Sequence, residues 1–152
     1  MSAGLLGTAA PPFLDFILVL EIAISAGLVF GAVLARKRCY RAHAGCQSCI
    51  VLLNAVLIVV AMIPSFHSHV QPKIPAKLGR SFYALATAHA AAGSLAETAG
   101  LYVVLAAGTN FVPDRLRMTN YKTWMRSVLI LWWLALLLGL ATYVRWYVPL
   151  SW

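Results

Sequence analysis

Four long, almost uninterrupted apolar runs constrain this chain more than any other feature, because no water-soluble fold can hide them all. They cover about 13–35, 44–63, 81–107 and 123–147, and each reaches the roughly 20 residues that an α-helix needs to cross the hydrocarbon of a bilayer. A transmembrane β-barrel is excluded, since its strands alternate apolar with polar residues and these runs are continuously apolar. Four spans and their short joints use up nearly all of the 152 residues, so a single domain over 1–152 is expected. The fold class expected is therefore all-α, an integral membrane four-helix bundle. Composition agrees: 62% of the residues are hydrophobic and 11% charged, against about half and about a quarter in an ordinary soluble domain.

Pro64, Pro72 and Pro75 are expected to stop the second span and hold the next loop open. Gly108, Asn110 and Pro113 do the same after the third. Ala23, Gly27 and Gly31 in the first span, with Gly93 and Gly100 in the third, give small-residue faces that let helix backbones approach closely.

A net charge of +8 would suggest nucleic acid in a soluble protein. Here the basic residues cluster beside apolar spans instead of sharing a face with aromatics, so nucleic acid is not an expected partner and lipid is. Residues 1–12 carry no lysine or arginine and the basic cluster follows the first apolar run. That order is the reverse of a cleavable signal peptide, so the first span is expected to be retained. The loops after spans one and three hold Arg36, Lys37, Arg38, Arg41, Arg115, Arg117, Lys122 and Arg126; the opposite side holds Lys73, Lys77, Arg80 and Arg145. Eight against four predicts both termini outside, with the two richer loops in the cytoplasm of a cell whose plasma (inner) membrane holds the protein. Trp124 would mark the inner interface, and Tyr143, Trp146, Tyr147 and Trp152 the outer one.

Ionisable groups in hydrocarbon are costly and usually face a bundle interior or a cavity. Glu21 and His89 each stand eight residues in from the outer end of their spans, about 12 Å deep at 1.5 Å per residue, where they could meet. His89, Gly93, Glu97 and Gly100 fall along one stripe of the third span. A histidine with glycine one turn below it leaves the space that a flat porphyrin or quinone ring needs, and the same pattern suits a neighbouring helix pressed close. His89 is thus either a haem ligand or an imidazole hydrogen-bonded to Glu21 or to a serine. A second axial ligand would come from His67, His69 or Met62 on the same side of the membrane, since His/His and His/Met pairs both serve haem iron. Alternatively, His67 and His69 are solvated loop residues. His43 starts the second span at the cytoplasmic end, roughly a membrane thickness from His89, so the two cannot ligate one iron.

Cys39, His43, Cys46 and Cys49 have a spacing that resembles soft-metal sites. One straight helix cannot wrap four ligands around a tetrahedral ion, but two of them could bind copper(I) or zinc with help from another segment. Ile50 follows the Cys46, Cys49 pair, so covalent c-type haem attachment is excluded. The bland reading is three small semi-buried residues kept reduced in the cytoplasm. Asn54 in the second span and Glu97 in the third belong either to a proton or quinone path or to a polar contact between helices. No nucleophile with its base, phosphate-binding glycine loop or paired carboxylates on a shared pocket wall is recognisable, so an enzyme is not expected. A transporter has little to build on either, without broken helices or an inverted repeat.

In its order of features the chain resembles the small four-helix membrane proteins of the YozB or CtaM type, which are associated with terminal oxidases. The likeness rests on Arg41, Ala42 and His43 leading into span two and on the turn over 64–69. It continues through residues 83–89 with the small-residue run 90–100, then residues 115–126 leading into a last span with Trp132, Trp133, Gly139, Thr142 and Tyr143. The resemblance implies a role in biogenesis or support of haem-copper oxidases within a larger membrane respiratory complex, with histidines holding haem or copper. That family usually has a histidine in the basic loop before the last span, where this chain reads Thr119, Asn120, Tyr121 and Lys122. The departure speaks against an inner-side haem on His43 and leaves the set of His67, His69 and His89 intact.

Together these features predict a non-catalytic membrane subunit or biogenesis factor of a respiratory electron-transfer complex, binding or handling haem b through His89 first. Two alternatives remain at this level. One is a cofactor-free structural accessory subunit; the other is a copper-handling oxidase assembly factor using His43, Cys46 and Cys49.

Overall fold

The computed structural model describes residues 4–148; Trp152, expected at the outer interface, lies outside the described residues. Four helices are long and apolar enough to cross a membrane: α1 (Pro12–Arg36), α2 (Tyr40–Lys77), α3 (Ser81–Gly108) and α4 (Tyr121–Tyr147). No strand occurs among the described residues. Pro12 opens α1, where its missing N–H costs nothing and its fixed φ suits the first turn. Arg38 ends the turn after it in the left-handed region, φ 62°, so that α2 starts at Tyr40 and runs back antiparallel. Asn120 caps α4, its side chain accepting from Thr123 N at 3.4 Å.

Helices joined by such short connections pack as antiparallel neighbours. The ring closes in the order α1, α2, α3, α4 and back to α1, with α3 and α4 in the most extensive contact. Small residues make that contact close. Trp132 Nε1 reaches the backbone carbonyl of Ala96 at 3.1 Å, and Gly100 leaves room for Val51 and the Trp132 ring. On the other side of the bundle Gly27 and Gly31 admit the side chains of Ile50 and Gln47 against the α1 backbone. Gln47 Nε2 donates to the Leu28 carbonyl at 3.2 Å.

The arrangement of sizes is inverted relative to a soluble bundle. Seven of the buried apolar residues are alanines: Ala10, Ala61, Ala86, Ala92, Ala96, Ala106 and Ala135. Phe16, Ile22, Phe30, Leu95, Ile130 and Leu137 point outward, each more than half exposed. In lipid, large apolar side chains gain nothing from being inside, while small ones allow the van der Waals contact that holds helices together. The described residues thus form an all-α four-helix bundle of the multi-pass membrane kind.

One expectation is corrected. The second helix does not stop at Pro64 but continues to Lys77. It does so by widening: residues Ile58–Met62 and Phe66–Val70 form π turns on either side of the proline, and Gln71–Lys73 tightens to a 3-10 turn. A proline in a helix interior removes one N–H and crowds the carbonyl four residues back. Local changes of helical pitch absorb both defects without breaking the rod.

Below the middle of the bundle, toward the two interhelical loops rich in basic residues, the interior is apolar and filled by Ile24, Leu28, Val51, Ala96 and Trp132. Above it, toward the end that carries both termini, the helices part.

Candidate cofactor cavity

Where the helices part they line a half-open cavity of about 550 Å³, within the roughly 300–1,000 Å³ of typical small-molecule sites. All four helices build its wall. Glu21 comes from α1, Met62 and His67 from α2, His89 and Gly93 from α3, and Tyr143 from α4. Most of the remaining wall is aliphatic or alanine.

His89 is held from behind. Its Nδ1 lies 2.9 Å from the carbonyl oxygen of Ala135 on α4, and the ring rests on Gly139, where a Cβ would stand 2.8 Å from His89 Cε1. A carbonyl only accepts, so it is Nδ1 of His89 that donates in this contact. One turn further along α3, a Cβ at Gly93 would meet nothing within 4 Å. The gap expected beside the imidazole is present. The stripe itself changes character along its length: His89 and Gly93 border open space, while Glu97 and Gly100 are packed against Asn54 and Val51 of α2.

Glu21 shares the cavity with His89 but the two do not bond; Glu21 Oε1 is buried with no hydrogen-bond partner among the described residues. Deeper, Asn54 Nδ2 donates to Glu97 Oε2 at 2.8 Å, and the two residues are 7% and 6% exposed. Asn54 Oδ1 and Glu97 Oε1 find no donor among the described residues. Asn54 is one turn from Val51, Glu97 adjoins Ala96, and Glu21 is one turn from Ile24. These three polar residues thus form a layer at the level where the cavity meets the apolar core.

Met62, half-buried, and His67, itself exposed, are among the residues lining the cavity, and His69 is not. In a regular helix Ser68, seven residues after the buried Ala61, would return closest to the inner face. The π turn over Phe66–Val70 adds a residue to the turn and brings Val70, 3% exposed, to that position instead. His69 is left exposed, its Nδ1 shared between Ser65 O at 3.1 Å and Ser68 Oγ at 2.8 Å.

The other expected set lies at the opposite end of the bundle. His43 Nδ1 is 2.7 Å from the Gly31 carbonyl and Cys46 Sγ is 3.7 Å from the Gly27 carbonyl, so both side chains turn into the α1–α2 contact. Cys39 and Cys49 are exposed. Among the described residues no three His, Cys, Asp or Glu side chains come together at a metal-sized site.

Sequence reasoning passed over Asp15, which is completely shielded from solvent. It accepts from Leu6 N at 2.9 Å, from Thr8 Oγ1 at 3.3 Å and from the Tyr143 hydroxyl. Thr8 and Tyr143 also touch through their hydroxyls at 2.8 Å, and Ala9 N donates to Tyr147 O at 3.1 Å. Asp15 thereby fastens the segment before α1 across the cavity end of α4. The rule that singled out Glu21, an acid inside an apolar run, would have found it. The aromatics of α4 likewise turn inward: Tyr143, Trp146 and Tyr147 border the cavity, and Trp146 stacks on Phe82 at 4.4 Å and 7° while donating to its carbonyl at 3.3 Å.

No family model, curated protein or solved structure matches this chain.

Proposed function

We propose that this chain is a non-catalytic membrane subunit or biogenesis factor of a larger respiratory electron-transfer complex, and that it binds haem b in the cavity between its helices. The observation that carries this reading is the setting of His89. Its Nδ1–H is committed to the Ala135 carbonyl, which fixes ring and tautomer in the way that supporting hydrogen bonds prepare metal-bound histidines. His89 lines a largely apolar cavity, and one turn along α3 a Cβ at Gly93, which lines it too, would meet nothing within 4 Å. Met62 or His67 would join His89 in holding the group, and Glu21 lines the same cavity. The bound group would supply one-electron transfer; the protein's part is to bind it, keep water away and hold His89 in place.

The location proposed is the plasma membrane with both termini outside. Support comes from the imbalance of basic residues and from the resemblance to oxidase-associated four-helix proteins. Purified protein is expected to show b-type Soret and α bands that vanish in His89→Ala. They should also vanish in Gly93→Leu, whose side chain fills the cavity while His89 keeps its bond to Ala135. A colourless preparation without haem by the pyridine haemochrome assay rejects the proposal.

One observation favours a second reading. The bond to Ala135 and the close seat on Gly139 also make His89 a clasp between α3 and α4, as a cofactor-free accessory subunit would use it. In that case His89→Ala leaves absorbance unchanged and reduces co-purification with partner subunits, whereas Gly93→Leu does neither.

A further inference from the structure

Lys77, Arg80 and Arg145 line one cleft at the end of the bundle that carries the termini, together with Ser81, Phe82 and Tyr83. Three separate parts of the fold meet there: the last turn of α2, the start of α3 and the last turn of α4. The Phe82–Trp146 stack, with the Trp146 indole donating to the Phe82 carbonyl, ties the start of α3 to the end of α4 and so brings Arg80 and Arg145 to one place.

Gathering three cations costs electrostatic free energy, and no acidic side chain offsets it. The chain has four acids. Asp15 is enclosed by Leu6, Thr8 and Tyr143; Glu21 and Glu97 lie in the bundle interior; and Asp114 pairs with Arg117 at 3.6 Å at the opposite end. Among the described residues that pair is the only salt bridge. Ser81 and Phe82, the first two residues of α3, line the same cleft, at the helix end that favours an anion. Of the four basic residues expected on this side of the membrane, three converge here, which scattered topology signals would not do.

We propose that this cleft binds a phosphate group, presented by the headgroup of an anionic phospholipid or as free phosphate. The guanidinium forks of Arg80 and Arg145 suit its oxygens, and Lys77 adds a third point charge. The cleft's place at the end of the spans, beside Phe82 and Tyr83, is where a headgroup lies.

The test is native mass spectrometry of the intact, detergent-solubilised chain titrated with phosphatidylglycerol, with phosphatidylcholine and with inorganic phosphate. The comparison proteins are the Lys77→Gln/Arg80→Gln/Arg145→Gln variant and a control, Arg115→Gln/Lys122→Gln/Arg126→Gln, that removes the same charge at the other end. Wild type should prefer phosphatidylglycerol over phosphatidylcholine. Removing one basic contact costs about fivefold, so the triple variant should bind it on the order of a hundredfold more weakly while the control is unchanged. Displacement by inorganic phosphate assigns free phosphate as the source, and resistance to it assigns the lipid. Equal binding of both lipids with no response to phosphate, or an equal loss in the control, overturns the proposal. Should the triple variant fail to elute as a helical monodisperse species, Arg80→Gln and Arg145→Gln singly carry the same comparison.

Discussion

Gly93 and Gly139 flank the same imidazole but stand in opposite situations. A methyl group at 93 enters open space, whereas one at 139 would press on His89 Cε1 at 2.8 Å, and His89 cannot swing away without losing its bond to Ala135. Gly93→Ala is therefore expected to raise apparent stability by about 0.5–1 kcal/mol, the helix-interior gain of alanine over glycine. Gly139→Ala is expected to lower it by about 1–3 kcal/mol, as overpacking does. Thermal melts of the two variants in one detergent check the pair, and equal shifts would mean that the cavity beside Gly93 is filled. At this scale His89, Gly93 and Glu21 were legible from residue type and depth alone, because charge and missing side chains are conspicuous in an apolar helix. The role of Gly139 was not legible, since it depends on how closely α4 approaches α3. Asp15 was legible in principle, but its partners Leu6, Thr8 and Tyr143 come from segments that only the fold brings together.

Among the elements, α2 carries the largest departure from its sequence pattern. Proline 64 reads as a stop, and in isolation it would be one; packed between α1 and α3, the helix keeps going and takes up the defect in π turns. The change of pitch brings Val70 to the inner face and leaves His69 exposed, and no count by 3.6 residues could foresee it. Lower in the same helix, the Asn54–Glu97 bond joins α2 to α3 in the polar layer. Asn54→Leu should cost about 0.6 kcal/mol, the average for hydrogen bonds between membrane helices, and no more than about 1.7 kcal/mol. Asn54→Leu/Glu97→Leu should recover most of that, because replacing both partners leaves no stranded polar group. A double-mutant cycle of unfolding free energies reads the coupling directly; strictly additive losses would show that the bond contributes nothing.

For the whole molecule the sidedness of the bundle can be tested through its thiols. Cys39 is exposed at the turn between α1 and α2, among Arg36, Lys37, Arg38 and Arg41. With both termini outside, a membrane-impermeant maleimide should label Cys39 in inverted vesicles and leave it unmodified in intact cells. Labelling in intact cells would reverse the orientation and set the cavity on the cytoplasmic side. The number of spans, their antiparallel succession and the level of each polar residue along them were determined by the sequence itself, because runs of apolar residues, short connections and a rise of about 1.5 Å per residue leave few arrangements. Only the tertiary structure decided that the bundle is filled at one end and hollow at the other, that His89 leans on α4 instead of reaching Glu21, and that three basic residues share a cleft. Those outcomes follow from how each helix is rotated about its axis and how closely it meets its neighbours. Periodicity in a uniformly apolar helix does not encode that rotation; contact between small residues on facing helices sets it.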